Sequence, residues 1–165
     1  MPNFNLALFL CTLLTIQVSA QESYWNIDEP LDSIPMDGVS GMLWGQPFAL
    51  SKATFNDAAL VLWSTPTAPS RTYDSYIAIF VDVVNGAGQW NLSPDTKERL
   101  PGVHVHYRKD EGSDVRILML NYDYYMNLVI DDASAEQVSG KIHLSLPDYK
   151  HSYLVGSFTA NRTVP

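Results

Sequence analysis

Residues 138–160 read VSGKIHLSLP, DYKH and SYLVGSFTA: two runs that alternate apolar and polar residues around a polar turn. A period of two sends successive side chains to opposite faces of an extended chain, so each run buries one face only as a strand. Two such runs joined by a short turn predict a β-hairpin. The pattern recurs along most of the chain. No stretch longer than about ten residues carries the 3.6-residue period of an amphipathic helix. Helical bundles and alternating strand–helix folds are thereby excluded.

Strand-like runs cover Val39–Trp44, a return segment from Phe48, Lys52–Phe55, Ala58–Ser64, Tyr73–Val84, Val103–Arg108, Val115–Leu120, Tyr122–Ile130 and the two arms of the hairpin. Turn residues separate them, at Gly45-Gln46-Pro47, at Asn56-Asp57 and at Asn85–Gly88. Residues 91–102 read as a polar loop with one helical turn at Ser93–Glu98, where Ser93 suits an N-cap and Pro94 the first helical position. Asp131–Gln137 reads as an acidic loop. The expected fold is all-β, a single antiparallel β-sandwich of about nine strands. Alternation turns Tyr122, Tyr124, Met126, Leu128 and Ile130 inward, with Ile142, Leu144 and Leu146, and with Leu154, Gly156, Phe158 and Ala160. Lys141, His143 and Ser145 are expected to face out. Tyr76–Val84 is apolar on both faces, as an interior strand would be, with the N-terminal arm as a candidate cover.

The first 20 residues stand apart. Leu6–Ile16 is an apolar run followed by the small residues Val18-Ser19-Ala20. This is the layout of a secretory signal peptide, although no Lys or Arg precedes the run. The run is too short to span a bilayer. Residues 21–37, with Pro30 and Pro35, form a short irregular N-terminal arm in this reading, anchored by Trp25 and Ile27. Residues 38–165 form the sandwich domain. The one cysteine, Cys11, falls in the leader, so the processed chain is disulfide-free and must rely on its apolar core. That combination points to a periplasmic or extracellular protein of a bacterium, while the sequons at Asn91 and Asn161 are the counter-signal for a eukaryotic source. A net charge of −8 opposes binding to nucleic acid or anionic lipid.

Gly41-Met-Leu-Trp-Gly45-Gln-Pro47-Phe48 has the form G-x-x-x-G-x-P-F. Ser139-Gly140-Lys141-Ile142-His143-Leu144-Ser145-Leu146-Pro147-Asp148, followed by Ser152 and Gly156-Ser157-Phe158, has the form S-G-K-I-x-L-x-L-P-D…S…G-x-F. At these two ends the chain resembles uncharacterised secreted bacterial β-sandwich proteins. The resemblance implies an exported β fold and carries no catalytic residues with it.

Three constellations are candidates for function. His104 and His106 share a strand face, which suits Zn²⁺ or Cu²⁺, and His143 is a third donor if its strand is a neighbour. Arg108 has the same parity and opposes a cation. Trp44, Trp63 and Trp90, with Tyr125 between Asp123 and Asn127, offer rings and polar groups for a glycan or a protein partner. Acidic turns at Asp110–Asp114 and Asp131–Glu136 read as solvated charge, with Ca²⁺ binding or glycoside cleavage as the weaker alternatives. No nucleophile motif and no phosphate-cradling loop is present in the sequence. The expectation is an exported, non-catalytic binding or accessory protein of the cell envelope, without a cofactor, that recognises a protein or glycan. A metal-binding protein or metalloenzyme built on His104 and His106 is the alternative, and a glycan-active enzyme ranks third.

Overall fold

The computed structural model describes residues 33–66, 74–83, 87–96, 99–108 and 113–163. Both segments expected to precede the domain, the leader and residues 21–32 of the arm with Trp25 and Ile27, lie outside the described residues.

Among the described residues ten strands follow one another: β1 (Ser40–Leu43), β2 (Gln46–Phe55), β3 (Leu60–Ser64), β4 (Ser75–Ile79), β5 (Gly88–Leu92), β6 (Val103–Arg108), β7 (Val115–Leu120), β8 (Tyr125–Ala133), β9 (Gln137–Ser145) and β10 (Tyr153–Arg162). They form a single sheet in the order β5-β8-β9-β10-β1-β2-β3-β4-β6-β7. Every neighbouring pair is antiparallel. The all-β expectation holds, with ten strands rather than about nine, and with one curled sheet folding its two halves over a shared core.

Strand β2 makes the curl. Its first part pairs with β1, and beyond a register break between Leu50 and Lys52 its last residues run parallel to the end of β10. A bulge bends a strand and increases its twist. Ser51 sits at this break, and its hydroxyl donates to the Ser64 carbonyl at 2.9 Å. Short β1 is thus a wedge between two strands that meet beyond its end. The core draws on both halves: Phe55, Leu60, Leu62, Ile77, Ile79 and Val103 from one, Met126, Leu128, Ile142, Leu144 and Leu154 from the other. With no cysteine among the described residues, this burial is the main stabilising term.

Several expected boundaries shift. Tyr73–Val84 supplies a ladder only to Ile79, because the Val81 amide turns back onto the Ile79 carbonyl at 3.0 Å. Strand β5 lies in what read as turn and polar loop. Its exposed Gln89 and Asn91 alternate with half-buried Trp90 and Leu92, too few apolar positions to signal a strand. The expected helical turn is a simple turn over the described Ser93–Thr96, closed by Thr96 N–H to Ser93 O at 2.9 Å. Strand β8 runs on through Asp131 and Asp132. Tyr122, expected inside, is 69% exposed, because Asp123 takes a φ of 60° and breaks the alternation before Tyr124 turns in. Ser145, expected outside, is buried. No helix of the described residues is long and apolar enough to cross a membrane.

Candidate functional site

On the outer face of β2, β3, β4, β6 and β7, register lines side chains up in two rows. One row runs Lys52, Trp63, Tyr76, His106, Ile117. The other runs Thr54, Val61, Ala78, His104, Met119. Facing residues of adjacent strands lie close enough to touch, so each row is a continuous contact line. Trp63 packs on Tyr76 with ring centroids 4.4 Å apart, and Tyr76 stacks on His106 at 4.0 Å with the planes 12° from parallel. Phe80 meets His104 edge-on at 4.6 Å. Aromatic pairs of this kind contribute about 0.5–1.5 kcal/mol beyond their burial. Trp63 is tethered further by its indole N–H, which donates to Thr54 Oγ1 at 3.2 Å.

The rows end at solvent. Strand β7 is an outermost strand of the sheet, and Ile117 and Met119 are 54% and 64% exposed. Its pairing with β6 runs without a register break. It carries no lysine, no proline and no bulge, and Arg116 is its one charged side chain. The five strands of this face also contain no Asp or Glu, in a chain with 18 of them. The face is aromatic and apolar with a weakly basic character.

Burial lowers the pKa of His106, and the neighbouring His104 pushes it down further. The rings of His104 and His106 are 6.5 Å apart. Arg108, expected to oppose a cation beside them, is engaged by the Ser113 carbonyl at 2.6 Å. His143 lies on β9, with five strands between β9 and β6 in the sheet order, so it does not join the pair. Among the described residues no group of three or more His, Cys, Asp or Glu is placed to hold a metal ion.

The tryptophans separate. Of the described tryptophans, Trp63 alone stands on the outer face. Trp90 packs against the core from β5. Trp44, in the β1–β2 turn with φ 53°, reaches Tyr107 at 4.8 Å and Tyr149 at 4.9 Å, and its backbone N–H donates to Ser152 Oγ at 2.7 Å. It ties the two halves of the sheet together. Burial raises the Tyr107 phenol pKa, against the opposing effect of Arg116. Tyr125 and Asn127 lie on the far half, where Asn127 faces His143 across the β8–β9 ladder. Asp123 is exposed in the preceding turn and does not share that face. Tyr76, Phe80, Ile117 and Met119 were not identifiable as site residues from the sequence. Their signal was the two-sided apolarity of the Tyr76 segment, which reads equally well as an interior strand. No family model, no curated protein and no solved structure matches the chain.

Proposed function

We propose that the chain is an exported, non-catalytic binding protein that holds a protein partner on the outer face of β3, β4, β6 and β7. The observation that carries this reading is the row Trp63–Tyr76–His106 running out to the exposed Ile117 and Met119 on a free edge strand. Rings and thioethers at a surface are the usual anchors of protein contacts. An unpaired strand edge offers backbone hydrogen bonds to an extended segment of the partner. A glycan would need several polar side chains beside the rings, and this face supplies chiefly two imidazoles. Export rests on the leader-like residues 1–20 and on the resemblance to secreted β proteins.

The test is affinity capture from native envelope material with the processed protein and with Ile117→Lys and Tyr76→Ala. The expected result is a partner that the parent enriches and both variants lose while their circular dichroism stays that of a β protein. Equal capture by the Ile117→Lys protein would remove this face from the reading. The rival, a Zn²⁺ or Cu²⁺ site on His104 and His106, has the shared face in its favour and distant His143 against it. Calorimetry with each metal separates the two readings.

A further inference from the structure

Asp131 and Asp132 of β8 are the only carboxylates borne by the ten strands. The β8–β9 ladder breaks there: Ile130 faces Gly140 and Asp132 faces Ser139, which leaves Asp131 without a partner across the ladder. A bulge of this kind re-aims the extra side chain. The bulge is built in with a glycine opposite. A Cβ on Gly140 would overlap the Val129 carbonyl oxygen and lie 3.2 Å from the Ile130 Cα.

Beside the bulge lies a groove of about 390 Å³, bounded by β8, β9 and β10, by Leu50 of β2 and by the segment leading into β1. Asp131, Ser139, Ser157 and Thr159 line it, with Met36 and Leu50 as apolar walls. Ser139 and Thr159 face each other across the β9–β10 ladder. None of the four polar side chains has a hydrogen-bond partner among the described residues, and none is sealed from solvent. The volume falls within the range of about 300–1,000 Å³ typical of small-molecule sites.

We propose that this groove binds a neutral saccharide unit. The carboxylate accepts hydrogen bonds from two adjacent sugar hydroxyls, the three protein hydroxyls donate or accept as the ring presents itself, and Met36 and Leu50 take its C–H face. Asp131 with Asp132 beside it repels phosphates, sulfates and uronic acids. This site shares only β2, through Leu50, with the aromatic face and is independent of the partner proposed there.

The test is amide shift mapping of the processed protein titrated with cellotriose, chitotriose and mannotriose, with a galacturonate trimer as the anionic control. The expected result is saturable shifts at Asp131, Ser139, Ser157 and Thr159 with at least one neutral trimer. Asp131→Ala should then weaken binding about tenfold or more, as loss of a hydrogen bond to a charged group does. Thr159→Val, at an exposed position, should weaken it less, and Ile117→Lys should leave it unchanged. The proposal is overturned if no trimer shifts these amides, if shifts appear only at Trp63, Tyr76 and His106, if the uronate binds as tightly, or if both groove variants bind like the parent.

Discussion

Gly156→Ala should be among the most damaging single substitutions in this protein. Gly156 sits in β10 with a φ of 141°, in a region that side-chain-bearing residues seldom enter. That conformation alone costs an alanine about 1–3 kcal/mol. The added Cβ would also overlap the Gly38 carbonyl oxygen and come within 2.6 Å of its carbon and 2.7 Å of the Val39 Cα. These are backbone atoms and cannot rotate aside, so the segment leading into β1 must lift from β10. Val39 is 1% exposed, and its carbonyl accepts from the Leu50 amide at 2.8 Å. Releasing a buried valine costs about 1.5–3 kcal/mol, and the lost hydrogen bond about 1 kcal/mol more. The sum, about 4–7 kcal/mol, rivals the whole stability of a marginal domain. Thermal unfolding followed by circular dichroism should show Tm lowered by about 15 °C or more. Gly38→Ala is the control: its φ is 102°, but no atom lies within 4 Å of the added methyl, so strain acts alone. If Gly156→Ala melts no lower than Gly38→Ala, the close crossing is not what excludes a side chain.

Leu128 is fully buried in the shared core, so Leu128→Ala should cost about 2–5 kcal/mol, read as a lower urea midpoint at unchanged slope. His106 has a folded pKa below its ordinary 6.5, so its contribution is complete above that value and is lost as pH falls through the folded pKa. Urea unfolding at pH 7 and pH 5 should therefore show a smaller acid loss in His106→Gln; an identical loss would assign it to other groups. Tyr124 donates its hydroxyl to the Pro101 carbonyl at 2.6 Å, and burial raises its phenol above the ordinary 10.0. Its stabilisation is complete below that pH and declines as pH rises toward the folded value. Tyr124→Phe should cost about 0.5–1.5 kcal/mol at neutral pH and steepen the acid-to-alkaline profile less than the parent, as followed by denaturant titration across the alkaline range.

The inward parity of β9 and β10 was readable because each strand carries three or four apolar residues at strict alternation, closed by a turn. Strands β6 and β7 have the ends that their flanking Gly and polar residues suggested. Strand β5 was not readable, since an edge strand needs only one good face and Trp90 and Leu92 supply just two apolar positions. Tyr122 misled because a single positive φ at Asp123 resets parity, and Asp is one of the few residues that tolerate it. His104 and His106 were rightly placed on one face, but their neighbours depend on which strands flank β6. That pairing joins residues far apart in the chain.

Alternation is a local property, so the chain alone determined that this is a β protein, which residues of its clearest strands turn inward, and that the folded part must stand without disulfides. The order of strands in a sheet is a long-range choice, settled by which apolar faces fill a common volume. Only the tertiary structure decided that Tyr76 lies between Trp63 and His106, that His143 lies far from the other two histidines, and that Asp131 at a bulge lines one groove with Ser139, Ser157 and Thr159. Each of these follows from register across strands, and register is set where two segments meet in space.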